Sequence, residues 1–104
     1  MKKAIAVFTI VILIASCITT QHLQPAEVDL PVAQQRIPNI TMTELHSGYK
    51  IYSINCSGCH RLHDPKEYTA GQWKPILDKM FAKAKLSDDK EKQLVTNYLV
   101  AKSK

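Results

Sequence analysis

The sequence predicts a small all-α domain. Three stretches between residues 41 and 101 carry apolar residues at helical spacing, and each stretch begins with a residue that commonly caps a helix N-terminus. No stretch shows the alternation of apolar and polar residues that is typical of a strand, and no internal repeat is present. We therefore expect about three helices. The 104 residues allow at most one domain once any processed N-terminal segment is removed.

The N-terminal segment predicts export. A short basic start is followed by an uncharged apolar run that ends at Ser16 and is too short to cross a bilayer comfortably. The run ends in IASC, with the cysteine at position 17, which resembles the bacterial lipobox. The resemblance implies a lipoprotein signal peptide over residues 1–16, a lipid on Cys17 and a location on the periplasmic side of a bacterial membrane. Ile18, where some bacteria use Asp to retain a lipoprotein at the inner membrane, favours the outer membrane.

Residues 17–40 are predicted to form a lipid-anchored tether. Pro25, Pro31 and Pro38 interrupt this segment, and no helical or strand periodicity extends over a useful length. Linkers of this kind are extended where proline sets the backbone. The alternative is that the apolar residues of the segment wrap against the folded domain; these are Leu23, Val28, Leu30, Val32 and Ile37.

The folded domain is predicted over residues 41–104, and its first helix leads directly into Cys56. Thr41 and Glu44 have the spacing of a capping box, and Ile40 and Leu45 have that of a hydrophobic staple. The apolar face of this helix is predicted to comprise Leu45, Gly48, Tyr49 and Tyr52.

The second helix is predicted from apolar residues with a 3.6-residue period, and Thr69 with Gln72 is expected to cap it. Pro75 is expected to kink its first turns or to delay its regular start to Lys74, because proline removes one interior hydrogen bond. The apolar face comprises Trp73, Ile76, Leu77, Met80, Phe81 and Ala84.

The third helix is predicted to begin after an N-cap at Ser87 and to end near Ala101. Three acidic residues in its first turn complement the helix dipole. Its apolar stripe comprises Leu94, Val95, Tyr98 and Leu99.

The stretch before Pro65 contains the pattern Cys-x-x-Cys-His, formed by Cys56, Cys59 and His60. This pattern is typical of covalent haem attachment, in which two thiols form thioethers and the adjacent imidazole ligates iron. A redox disulfide needs no histidine and usually occurs in βαβ units, which this chain lacks. A zinc site would need His63 as a fourth ligand, with all ligands crowded into eight residues. The pattern therefore predicts one covalent haem c, with His60 as the proximal iron ligand.

From about Leu45 to Ala101 the chain resembles a small class I (monohaem) cytochrome c, on the pattern Gly48-x-x-x-Tyr52-x-x-x-CSGCH, a following proline, and Tyr98-Leu99 in the closing helix. The resemblance implies about three helices packed around one covalently bound haem. It implies that the first and last helices cross where Gly48 permits close approach and Tyr98 fills the space. It also implies that the Pro65 carbonyl accepts a hydrogen bond from the proximal imidazole; the alternative is that Pro65 is a turn residue after Asp64.

The resemblance further implies a distal methionine ligand, and Met80 is favoured over Met42. The predicted second helix would bring Met80 to the far face of the haem, and its spacing from Trp73 resembles a branch of these cytochromes. The alternative is that Met80 only fills the core, as methionine often does. Among the histidines, His63 lies too near the proximal ligand, and His46 is predicted to be a surface residue.

Trp73 is the first candidate to donate a hydrogen bond to a haem propionate, with Tyr68 and Arg61 as the other candidates. Each of them has an alternative as a packing or surface residue.

A haem with both axial positions filled predicts an electron carrier and not an enzyme. The expected partners are an electron donor protein, an electron acceptor protein and the membrane, through Cys17, with no small-molecule substrate. The export signal argues against nucleic acid, although the net charge is +5. If Met80 is only a core residue, the alternative is an open-site haem protein that senses gases or acts as a peroxidase. Another alternative is a haem-bearing docking subunit of a larger redox enzyme.

Overall fold

The computed structural model describes residues 23–57 and 61–104. These ranges contain helices and no strand, so the all-α prediction is confirmed. None of their helices has the length and apolar character needed to cross a membrane. The α-helices are α1 (Asp29–Arg36), α2 (Met42–Asn55), α3 (Ala70–Ala84) and α4 (Asp89–Lys102), and a short 3-10 helix spans Pro65–Glu67.

The predicted capping boxes start two of these helices. Thr41 Oγ1 accepts a hydrogen bond from the Glu44 backbone N–H at 3.2 Å, and the Thr41 N–H donates to the Glu44 carboxylate at 2.9 Å. Thr69 and Gln72 make the same reciprocal pair before α3. Each pair satisfies two backbone donors that a helix start would otherwise leave without a partner.

The start of α4 differs from the prediction by one residue. Asp88, and not Ser87, is the N-cap, and its carboxylate accepts a hydrogen bond from the Glu91 N–H at 2.9 Å. Either residue type caps well, so the sequence did not distinguish two adjacent candidates.

Pro75 lies inside α3 and does not delay its start. The capping box already sets the regular helix from Ala70, so the predicted late start at Lys74 is wrong. Proline removes the bond to the carbonyl of Gly71, four residues earlier. Gly71 is exposed, so water can satisfy that carbonyl at little cost.

A central cluster of large apolar side chains joins α2, α3 and α4. Helices α2 and α4 cross at Gly48, where an added Cβ would lie 2.7 Å from Tyr98 Cβ. The close crossing expected for Gly48 and Tyr98 is therefore present in the structure. The buried members of the cluster are Tyr52, Cys56, Trp73, Leu77, Phe81, Leu86, Val95, Tyr98 and Leu99.

A second, N-terminal cluster involves the segment that was predicted to be a tether. Its buried members are Ala33, Ile40, Leu45 and Ala101, which bring α1 against the start of α2 and the end of α4. The extended conformation predicted for residues 17–40 is therefore wrong from residue 23 onward. Of the apolar residues expected to wrap against the domain in the alternative, Leu23, Leu30 and Ile37 do so, whereas Val28 and Val32 are exposed. The helical signal was weak because α1 has only eight residues and a single fully buried side chain.

Polar bonds fasten the same segment to α4. Arg36 Nη1 donates to the Val100 carbonyl at 2.8 Å and to the Ser103 carbonyl at 2.9 Å, at the end of α4. Lys102 Nζ lies 2.9 Å from Asp29 Oδ2, on the first residue of α1. Carbonyls at a helix C-terminus lack the full set of internal partners, and Arg36 adds a charged donor to those at the end of α4.

Candidate functional site

Cys56 is the one cysteine of the attachment pattern within the described residues. It directly follows α2, and its backbone N–H donates to the Tyr52 carbonyl at 3.0 Å. Only 7% of the residue is exposed, because it belongs to the central cluster. The predictions for Cys59, His60 and Cys17 lie outside the described residues.

Cys56 and Met80 are both associated with the central cluster, although one follows α2 and the other lies on α3. Met80 lies on α3, is partly buried and packs against the central cluster to which Cys56 belongs. Met42 packs instead against the N-terminal cluster, at the opposite end of α2 from Cys56. A helix of 14 residues is about 21 Å long, so Met42 is far from the attachment pattern.

Trp73 and Pro65 are brought together by a direct bond. The indole Nε1–H of Trp73 donates to the Pro65 carbonyl at 2.8 Å, and both residues are fully buried. An indole has a single donor, so the donor predicted for a haem propionate is used inside the protein. A carbonyl has a second lone pair, so the predicted role of Pro65 as an acceptor for His60 is compatible with this bond.

Tyr52 holds the segment that follows the attachment pattern. Its hydroxyl donates to the His63 carbonyl at 2.8 Å. Burial raises the pKa of Tyr52 above its ordinary value, so the hydroxyl keeps its proton and remains a donor. Sequence reasoning had assigned Tyr52 only to the apolar face of α2, and this bond spans eleven positions that no local pattern connects.

The His63 side chain is engaged by Glu67. His63 Nδ1 lies 2.7 Å from Glu67 Oε2, and the His63 bond is the main cause that holds the pKa of Glu67 below its ordinary value. Arg61 lies 3.4 Å from Oε1 of the same carboxylate. His63 precedes the 3-10 helix and is not helical, so the spacing of four residues gave no sequence signal for this pair.

The remaining candidates are a surface histidine and a tyrosine that packs against the central cluster. His46 is exposed on α2, as predicted. Tyr68, one of the candidates for a propionate, packs edge-on against Trp73, with ring centroids 5.0 Å apart. Among residues 23–57 and 61–104, no three His, Cys, Asp or Glu side chains gather as a metal site.

Two open clefts lie along α4 on the described surface, and neither is lined by Cys56 or Met80. One, of about 840 Å³, lies between the end of α3 and the start of α4, with Phe81, Lys85 and Lys92 in its lining. The other, of about 510 Å³, lies between α2 and α4 and includes Ile54 and Lys90. Both linings mix apolar and charged side chains, and neither includes a predicted site residue.

No protein-family model, curated protein or solved structure matches this chain. The functional assignment consequently depends on the attachment pattern and on the geometry around Cys56.

Proposed function

We propose that this chain is a membrane-anchored c-type cytochrome that carries single electrons between redox proteins outside the cytoplasm. In this proposal Cys56 and Cys59 form the thioethers of one haem c, His60 is the proximal ligand and Met80 is the distal ligand. Cys17 carries the lipid that keeps the protein on the periplasmic side of a bacterial membrane, with the outer membrane favoured. The observation that carries the proposal is that Cys56 belongs to an apolar cluster against which Met80 also packs.

The residues present fit a covalently attached haem. Cys56 is buried among apolar and aromatic side chains, which are the kind of surface that lines cofactor sites. A thioether on a neighbouring helix is the sulfur ligand that raises a haem potential. When bound, haem c supplies reversible exchange between Fe(II) and Fe(III).

The protein's contribution is to keep the site dry and rigid. The bond from Tyr52 to the His63 carbonyl and the bond from Trp73 to the Pro65 carbonyl fix the chain after the attachment pattern at two points. Aromatic side chains from α2 and α4 cover the other side of the cluster. A site held in this way changes little in structure when its charge changes, which suits electron transfer better than catalysis on a bound substrate.

The optical spectrum of the full chain, produced together with a haem-attachment system, tests this proposal. The oxidised protein should show the weak long-wavelength band of sulfur-ligated ferric haem. Met80→Ala should abolish that band, and Met42→Ala, the matched control at the other end of α2, should retain it.

Two outcomes would contradict the proposal. A high-spin spectrum that shifts with carbon monoxide in the unsubstituted chain would establish an open-site haem protein and remove Met80 as a ligand. A chain that carries no haem after such co-production would remove the cytochrome assignment altogether.

A further inference from the structure

The folded part of the chain begins close to the predicted lipid. Leu23 is only 8% exposed, and its carbonyl accepts a hydrogen bond from the buried Tyr98 hydroxyl. Pro25 is also buried, and Asp29 pairs with Lys102 at the start of α1. The chain is therefore attached to the domain from residue 23 onward.

This attachment shortens the reach of the lipid anchor. An extended chain spans at most about 3.5 Å per residue, so a tether over residues 17–40 would reach roughly 80 Å. Because the chain is held at Leu23, only the segment from Cys17 to Leu23 can act as a tether, and its fully extended length is about 20 Å. The domain is consequently held within about its own radius of the membrane.

The part of the domain nearest this entry point presents apolar residues to solvent. Val28 is 77% exposed and Val32 is 47% exposed, and they lie four residues apart on the outer side of α1. Pro31, between them, is exposed as well, whereas Ala33 faces the N-terminal cluster. Ile54 is the other large apolar residue that is exposed in the described ranges, and it lies in the cleft between α2 and the start of α4.

We propose that the outer face of α1, with Val28 and Val32, lies against the lipid bilayer, and that the docked segment holds the domain in this orientation. This inference rests on the lipid at Cys17 in the proposed function. The bilayer is the occupant because the chain between the predicted lipid at Cys17 and the domain at Leu23 can span at most about 20 Å. Apolar side chains at a membrane surface gain stabilisation by entering the boundary between headgroups and acyl chains.

The orientation has a consequence for electron transfer. A carrier on an 80 Å tether could reach partners far from the membrane, whereas a domain held within about 20 Å exchanges electrons with partners at the same membrane surface. Two tyrosines whose rings lie 5.8 Å apart connect the docked segment to the residues after the attachment pattern. The Tyr98 hydroxyl donates to the Leu23 carbonyl, and the Tyr52 hydroxyl donates to the His63 carbonyl.

The test uses the lipidated, haem-loaded full chain in vesicles of phosphatidylethanolamine and phosphatidylglycerol. One variant carries Val32→Cys and the matched variant carries Ile54→Cys, both at exposed positions. A membrane-impermeant maleimide reports how accessible the added thiol is. Each rate is divided by the rate of the same variant with a Gly/Ser insertion between Thr20 and Gln21, of about 20 residues, which frees the domain from the surface.

The labelling rate without the insertion, divided by the rate with it, should be about 0.1 for Val32→Cys, because burial at the headgroup boundary blocks a charged reagent. For Ile54→Cys this ratio should be about 1. Equal ratios for the two variants would overturn the inference. A chain that is recovered off the vesicles and is labelled at Cys17 would overturn it as well, together with the lipid part of the proposed function.

The parent chain without an added cysteine separates failure of the inference from failure of the haem assignment. Labelling of that chain at Cys56 or Cys59 while it stays on the vesicles would contradict haem attachment. The Val32→Cys rate, corrected for that background, would still decide the orientation.

Discussion

The central and N-terminal clusters differ in how they hold the chain together. The central cluster consists of large side chains, with Trp73, Tyr52 and Tyr98 among those fully buried, and it closes over the helix crossing at Gly48. The N-terminal cluster is built on two alanines and two larger aliphatic residues, and polar bonds from Arg36 and Lys102 surround it. One region is stabilised by packing, and the other depends on bonds at its edge.

The difference predicts an order of unfolding. Fully burying a large apolar side chain stabilises the folded state by about 1.5–3 kcal/mol. The central cluster buries more such side chains and is therefore stabilised more than the N-terminal cluster. The N-terminal cluster buries less apolar surface, and α1 has no buried side chain larger than Ala33. We therefore expect α1 to open locally while α2, α3 and α4 remain folded.

The largest expected effect is at the helix crossing. Gly48→Ala places a Cβ 2.7 Å from Tyr98 Cβ, inside normal contact distance, so α2 and α4 must move apart. The free energy of unfolding should fall by about 3 kcal/mol, more than the gain in helix propensity. Urea unfolding followed by circular dichroism measures this change.

Gly71→Ala is the matched control for the helix crossing. It lies in α3 with no atom within 4 Å of the added Cβ, so the free energy of unfolding should rise, by up to about 1 kcal/mol. If both substitutions had the same effect, the close crossing would be wrong.

A smaller loss is expected from Trp73→Phe, which keeps most of the packing but removes the indole donor. The Pro65 carbonyl is buried, so losing its bond from Nε1 leaves an unsatisfied acceptor that costs about 2 kcal/mol. Urea unfolding measures the cost. Tyr68→Phe, next to Trp73, keeps the ring contact and should cost less than 1 kcal/mol. Equal losses would show that the bond contributes nothing specific.

The central cluster could be predicted because large residues at helical spacing leave a clear pattern. Gly48 and Tyr98 were expected at a crossing, and capping boxes at Thr41 and Thr69 fixed two helix starts. The bond from Trp73 to Pro65 could not be predicted, because the positions of the two residues in the sequence do not say which acceptor a buried indole finds. For the site, the structure places Cys56 in this cluster and Met80 against it, and their roles in holding a haem remain predictions.

The N-terminal cluster could not be predicted for a different physical reason. Its helix is short, contains Pro31, and gains its stability from groups that are more than sixty positions away, such as the Val100 carbonyl bound by Arg36. A segment whose structure depends on tertiary bonds carries little local signal. The tether prediction failed for this reason.

Removing the Arg36 guanidinium should release α1 selectively. Arg36→Met keeps the apolar stem and removes the bonds to the Val100 and Ser103 carbonyls, which are partly open to water, so we expect a loss of about 1 kcal/mol. Hydrogen exchange should speed up in α1 and stay unchanged in α2. Lys74→Met, exposed on α3, is the control and should leave α1 exchange unchanged. Faster exchange throughout the domain would show that the two clusters unfold as one unit.

The smallest expected effect is the pH dependence of the bond between Asp29 and Lys102. Burial acts to raise the pKa of Asp29, but the hydrogen bonds from the Ala26 N–H and Lys102 outweigh it, so the folded-state pKa lies below the ordinary 3.8. A lowered carboxyl pKa stabilises the folded state above pH 3.8, and this contribution is lost as the pH falls through the folded-state pKa.

Asp29→Asn should therefore lower the free energy of unfolding by about 0.5 kcal/mol at pH 6, as expected for a partly exposed pair. The difference from the parent chain should shrink as the pH falls below 3.8, where the parent carboxylate also loses its charge. Lys102→Gln removes the same pair from the other side and should reduce the pH dependence in the same range. A difference that stays constant down to pH 2 would show that the carboxylate charge contributes nothing, and that α1 is fastened by Arg36 and apolar contacts alone.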